Sequence, residues 1–276
     1  AVSDEVYGFA RTIVAGPAIL LLAALTGGAG SLMPKPGSLP GFITFGICCA
    51  IFQICLFKSF TLLGVTITVF ITVCLPPVLG IMSALWRRSE AVTRNTLVAV
   101  VLAAAGLMTF VGNDVTGSNL SALIGLLLSV CASVAFLLMT QSARALAADH
   151  SPILVSGLGL IISAVILAPA AFVAVPDWHI VERALTDWRS SGVLIYLGLG
   201  PTALAYICYC GGMARCRSAV AGLVASMIEP AVAAGLAFLF LRETLSAWQS
   251  LGCVVMLVAM ITLWFDKNTV PSPVKS

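Results

Sequence analysis

Charge is what this sequence has least of. Lysine, arginine, aspartate and glutamate make up 9% of its 276 residues, and only two histidines, His150 and His179, are present. Soluble domains carry about a quarter charged residues, so this chain cannot cover a water-facing surface of its own size. A net charge of +3 is too small to argue for a nucleic-acid partner, and none is expected. No loop holds a phosphate-cradling glycine pattern or a nucleophile-base constellation, which leaves an ATP-driven pump or a membrane hydrolase without support. Nine cysteines are present, but Cys48, Cys49, Cys55, Cys74, Cys131, Cys208, Cys210 and Cys253 fall inside apolar runs. There a thiol is a small hydrophobe, so neither a metal centre nor a cofactor is expected. Also missing is a short basic leader with a cleavage site, since the acidic opening AVSDEVYGF leads straight into a long apolar run.

Apolar length is what the sequence has instead. Sixty per cent of residues are hydrophobic and the mean hydropathy is +1.10. Runs of about 20 apolar residues, the length that crosses a bilayer as helix, occur near 7–28, 41–62, 65–86, 95–112, 119–142, 152–175, 191–213, 218–240 and 246–265. The fold class predicted is therefore an all-α polytopic membrane protein. Ser151 before Pro152 reads as an N-cap with proline at the first helical position, and Ser246 with Gln249 reads as a capping box. Trp86, Trp178, Trp188, Trp248 and Trp264 lie at or just beyond span ends, where an aromatic belt belongs.

Loop charges give an orientation. Lys35, Arg87, Arg88, Arg94, Arg144, Arg215, Arg217, Lys267 and Lys275 fall on one side, against Arg11, Lys58, Arg183, Arg189 and Arg242 on the other. The positive-inside rule makes the first set cytoplasmic, with the carboxyl terminus inside. The segment from Pro176 to Ser190 is amphipathic and reads either as a short interfacial helix or as a plain external loop.

One stretch organises the rest. SMIEPAVAAGLAFLFLRE, from Ser226 to Glu243, places a carboxylate, Glu229, immediately before Pro230 within an apolar run. An acid at that depth is costly and marks a functional site by default. The same frame recurs 153 positions upstream, where Pro77 stands opposite Pro230 and Glu90 opposite Glu243, each acid thirteen positions after its proline. At 1.5 Å rise per residue that is about 20 Å, which sets the prolines near the bilayer centre if the acids mark the headgroups. Matching interrupted helices in two halves point to a carrier's binding site and to an inverted-topology repeat. The units expected are 1–116, lacking its opening helix, 117–266, and a cytoplasmic tail over 267–276. Two five-helix units would require a tenth span upstream of Ala1.

These residues also carry a resemblance. IEPAVAAGLAFLFLRETLSAWQSLGCVVML, with Glu229, Pro230, Glu243, Gln249 and Gly252, resembles the closing signature of EamA-type proteins of the drug/metabolite transporter superfamily. LPPVLGIMSALWRRSE resembles the matching part of the first half, with Pro76 where the second copy has its acid. GPTALAYICYCGGMARC and VYGFARTIVAGPAILLL resemble that family's eighth and second helices. The resemblance implies ten helices in two inverted units, cytoplasmic termini and transport of small metabolites, with YddG-type amino-acid exporters the nearest comparison.

Candidate residues follow from polarity inside spans. Thr202, Tyr206 and Tyr209 form a hydroxyl stripe, and the 153-residue offset pairs Tyr206 with Gln53, a lone amide at mid-span. Tyrosine hydroxyls at that depth need partners, which a solvated cavity supplies. Ser129, Ser133, Phe136 and Thr140 form a second stripe, and Thr68 with Thr72 a third. Such hydroxyls often bond back to their own helix instead. Glu229 is either a proton- or amine-binding carboxylate or a brace for the turn, with Ser226 on its face. The residues expected to meet a small-molecule substrate are Gln53, Thr72, Ser133, Tyr206, Tyr209, Ser226 and Glu229, and Pro76, Pro77 and Pro230 are the expected helix breaks. Arg11 and Lys58 are expected to snorkel to the external interface, with carboxylate binding at the outer mouth as the alternative.

The function expected is secondary transport in the plasma membrane, of the bacterial inner-membrane kind, by alternating access around a midplane cavity. Amino acids are the cargo expected to move outward, with protons as a possible coupled partner. The alternatives are a drug or nucleotide-sugar carrier, or a structural membrane subunit with a packed core.

Overall fold

The computed structural model describes residues 4–27, 33–87, 93–111, 120–174, 186–216, 222, 225–226, 228–229, 232 and 247–264. Every regular element among them is helical. Helices α1 (Asp4–Gly27), α2 (Leu39–Leu63), α3 (Val65–Arg87), α4 (Arg94–Val111), α5 (Leu120–Ala147) and α6 (Pro152–Ala174) follow in order. Then α7 (Trp188–Leu197), a π-helical segment (Gly198–Leu204) and α8 (Ala205–Arg215) run on as one rod, and α9 (Ala247–Trp264) closes the described chain. Each matches one predicted span to within a few residues. Five of the rods are long and apolar enough to cross a bilayer, over Gly8–Gly27, Leu39–Leu63, Leu120–Ala147, Pro152–Val173 and Trp188–Arg215. The span expected over 218–240 and the break at Pro230 lie largely outside the described residues, as do Glu90, Glu243, Trp178, Ser246 and most of the 176–190 segment.

Alanines fill much of the interior beside a few large side chains such as Phe42, Phe45 and Leu160. The lipid-facing positions carry the large aliphatics, with Leu25, Val165, Val173 and Leu127 exposed, while the interior holds Ala15, Ala50, Ala99, Ala103, Ala132, Ala143 and Ala164. In a bilayer the tails are as apolar as leucine, so helices associate through close approach and polar contacts instead of hydrophobic burial. Trp86, Trp188 and Trp248 are also exposed, at rod ends, as an aromatic belt requires.

The chain divides into two compact units that interleave in sequence: residues 1–58 with 138–214, and residues 59–137 with 215–276. Each draws on both sides of residue 117, so the contact units do not coincide with the units expected from the sequence at 1–116 and 117–266.

In the first unit, α6 packs along α1, and its glycines set the separation on two sides. A Cβ at Gly157 would stand 2.7 Å from Leu20 Cδ2 of α1, and one at Gly159 would overlap the Phe45 ring of α2. On α1, a Cβ at Gly16 would meet Ile161 Cγ1 at 2.7 Å and its backbone nitrogen at 3.1 Å. Ser151 caps α6 as expected, accepting from the Leu154 N–H at 3.2 Å. At the same end the α1–α2 connection is tied to the α5–α6 turn. Lys35 pairs with Asp149 at 3.1 Å, and His150 Nε2 accepts from the Lys35 backbone N–H at 3.1 Å.

The rod from α7 to α8 contains a register change the sequence reading did not anticipate. Pro201 has no N–H to give to the carbonyl four residues back, Leu197. The chain widens into a π-helical turn, and Thr202 Oγ1 donates to that carbonyl at 2.7 Å. Gly198 lets this segment lie against α1, because a Cβ there would stand 2.5 Å from Val14 Cγ1 and 3.4 Å from the Arg11 carbonyl.

In the second unit, α4 packs along α9 and against α3. Gly64, at φ 91°, turns α2 into α3 in a conformation only glycine adopts freely. α3 stays helical through Pro76 and Pro77, both buried. The expected break is thus two missing N–H donors within a continuous helix, not an interruption of it.

Candidate functional site

The first unit holds a chain of polar side chains inside otherwise apolar helices. Gln53, on α2, is 1% exposed. Arg11 Nε and Nη2 donate to its Oε1 at 3.0 and 2.8 Å. Two guanidinium donors on one oxygen fix the amide orientation, leaving Nε2 to donate toward Ser163 Oγ of α6 at 3.5 Å and Cys49 Sγ at 3.6 Å. Cys49 Sγ in turn shares a hydrogen bond of 3.1 Å with the Tyr206 hydroxyl of α8. One turn further along α8, Tyr209 hydrogen-bonds Thr140 of α5.

Local sequence explains the convergence. Gly8 and Arg11 stand three apart on α1, on the face toward α2, and a Cβ at Gly8 would lie 3.6 Å from Gln53 Oε1. Cys49 and Gln53 are one helical turn apart on α2. The Arg11 guanidinium also sits 5.2 Å from the centroid of the Phe57 ring, itself one turn beyond Gln53. Among the described residues no carboxylate pairs with Arg11, and the ion pair between Lys35 and Asp149 is at the helix end.

The snorkelling expected of Arg11 is therefore corrected. Its side chain is half-buried and turned onto an amide of α2, beside Gly8, which lies one turn earlier on α1 and presents no side chain to Gln53. Lys58 is exposed at its end of the unit, in line with the interfacial reading.

The other candidates belong to the second unit. Thr72, 7% exposed, donates to the Thr68 carbonyl at 2.8 Å, and Ser133 donates to the Ser129 carbonyl at 2.8 Å with Ile71 O at 3.3 Å. Their hydroxyl protons are engaged by backbone. Ser59 Oγ, Thr68 Oγ1 and Ser129 Oγ form a cluster of their own, at 2.9 and 2.5 Å from Ser59. Ser226 is half-buried, and Glu229 is exposed beside it. The Val232 N–H donates to the Ile228 carbonyl at 3.0 Å, four residues back.

Sequence reasoning paired Gln53 with Tyr206, and the structure joins them through Cys49. It missed Cys49, Ser163 and the inward course of Arg11. The four-residue spacing of Cys49 from Gln53 was a usable signal, whereas nothing in hydropathy indicates where an arginine inside a span points.

Bilayer-length apolar helices, with no strand among the described residues, define a multi-pass membrane protein. This chain belongs to the EamA-like transporter family, whose model matches residues 121–265. The uncharacterized transporter YwfM of Bacillus subtilis (strain 168) is 25% identical over 260 residues, covering 93% of this chain and 83% of that protein. A solved crystal structure superposes with a TM-score of 0.77 over 96% of this chain and 90% of its own, at 18% identity. That likeness is one of fold.

Proposed function

We propose that this chain is a secondary carrier that moves small polar metabolites, amino acids foremost, out of the cell, in the manner of YddG-type exporters. Membership of a transporter family supplies the class. The observation that carries the finer reading is the interior chain Arg11–Gln53–Cys49–Tyr206, which sets a cation and hydroxyl and amide dipoles where only lipid-like side chains would otherwise stand. A packed structural subunit would close every such group on a protein partner. Gln53 and the Tyr206 hydroxyl are closed in this way, whereas Glu229 stays exposed.

Alternating access follows from two inverted units flexing at proline-weakened helices, with cargo favouring one state over the other and so shifting their populations. Pro76 and Pro77 each remove one backbone donor from α3, and Pro230 has the equivalent place in the other repeat. The carboxyl terminus lies in the cytoplasm and the membrane is the bacterial inner membrane.

Glu229 is the group through which protons would couple. In proteoliposomes, an imposed pH gradient is expected to accelerate amino-acid efflux in the wild type but not in Glu229→Gln. Flux indifferent both to the gradient and to the substitution removes proton coupling and leaves facilitated diffusion.

A further inference from the structure

We propose that Arg11, held by Gln53, is the recognition site for a carboxylate on the cargo. The inference rests on the transporter reading and adds to it the chemical group that the first unit binds. A guanidinium has five N–H donors in a fixed fork. Two go to Gln53 Oε1, at 3.0 and 2.8 Å. Subtracting these from five leaves three, and both Nη1 hydrogens are among them. None of the three has a partner among the described residues. A fork with adjacent free N–H groups is the geometry that takes a carboxylate in bidentate fashion.

Electrostatics point the same way. Gln53 fills its oxygen with two charged donors yet brings no negative charge. The Phe57 ring, 5.2 Å from the guanidinium carbon, adds only a quadrupole. A cation met only by neutral groups among the described residues is under-compensated, and such residues in membrane spans mark ion or substrate pathways. An arginine with a purely structural role would be better matched by glutamate at position 53. The amide instead orients the fork and leaves its charge for a ligand. Gln53 is in turn held through Nε2 by Ser163 and Cys49, so the fork sits on a braced support, not on a loop.

The test uses the full chain purified in a lipid-free maltoside, with thermal unfolding as the readout. The probes are L-leucine and L-phenylalanine beside 3-methylbutylamine and 2-phenylethylamine, which keep the amine and side chain and lack only the carboxylate. The two acids are expected to raise the midpoint and the two amines to leave it nearly unchanged. Gln53→Glu is the decisive variant, because its carboxylate takes the fork internally. It is expected to unfold at or above the wild-type midpoint while losing the response to both acids, a roughly 10- to 100-fold loss of apparent affinity. Arg11→Lys keeps the charge without the fork and is expected to fall between.

Equal shifts from acids and amines overturn the proposal, as does no shift from either acid, or a Gln53→Glu protein that still prefers acids. Phosphatidylglycerol or inorganic phosphate shifting the midpoint where the amino acids do not would assign the fork to a lipid headgroup or a free anion, which also overturns it. Reconstituted protein that responds to the acids as expected but carries no labelled amino acid across vesicles overturns the transport reading alone.

Discussion

At the scale of single residues, Gln53 has the largest expected effect. Gln53→Leu leaves two guanidinium donors facing an apolar group, and an unsatisfied buried donor costs about 1–3 kcal/mol, more when charged. A clear fall in the detergent unfolding midpoint is expected. Gln53→Asn, one methylene shorter, would restore part of it by letting Arg11 follow. Tyr206→Phe removes only the hydroxyl shared with Cys49 and is expected to cost about 1 kcal/mol. A larger loss in transport than in stability would assign that hydroxyl to cargo. Asp187 gives a pH prediction. It caps α7, and the hydrogen bonds from the Ser190 side chain and backbone N–H hold its carboxyl below the usual carboxylate range. A depressed folded-state value means the cap stabilises the protein above the unfolded value, near pH 4, and that this is lost as pH falls below it. Asp187→Asn keeps a capping oxygen without the titration, so its midpoint is expected to fall less steeply than the wild type's on acidification.

Among the elements, helix placement was legible in the sequence and helix register was not. The apolar runs near 41–62 and 65–86 became α2 and α3 with Gly64 between them, because bilayer-length hydrophobicity and a glycine turn are one-dimensional signals. The π-helical turn at Gly198–Leu204 was hidden, since hydropathy is blind to which carbonyl a donor reaches. In retrospect Gly198, Gly200 and Pro201 mark it, with Thr202 placed to take the carbonyl that proline abandons. Side-chain direction was equally hidden: Arg11 near a span end looks interfacial until α1 and α2 are seen to meet at Gly8. Thr202→Val keeps the shape and deletes the Leu197 bond, with an expected cost of about 1 kcal/mol. Gly64→Ala forces a side chain into the left-handed region and is expected to cost about 1–2 kcal/mol. Its companion Gly192→Ala, where an added Cβ meets nothing within 4 Å, should be nearly silent. Unfolding midpoints of the three variants check this ordering.

On the scale of the whole molecule, orientation and transport give the predictions. The end of the first unit bearing Lys35, Asp149 and His150 is expected to face the cytoplasm. A cysteine placed at Asp149 is expected to react with a membrane-impermeant maleimide in inside-out vesicles and not in right-side-out ones. Cys131 and Cys208, exposed on the rods, should stay unreactive in both because lipid covers them. The opposite sidedness at position 149 would invert the assigned topology without touching the fold. That the compact units differ from the units expected at 1–116 and 117–266 was beyond the reach of the sequence, because spacing along the chain does not say which helices pack together.

Counterflow in proteoliposomes tests the central claim most directly. Vesicles of purified full chain are loaded with unlabelled amino acids and exposed to the labelled forms outside. A carrier gives transient uptake above that of protein-free vesicles for at least one amino acid, abolished when the internal pool is omitted. Uptake no greater than in protein-free vesicles for every amino acid, from protein shown to be folded by its unfolding transition, would contradict amino-acid transport by this chain.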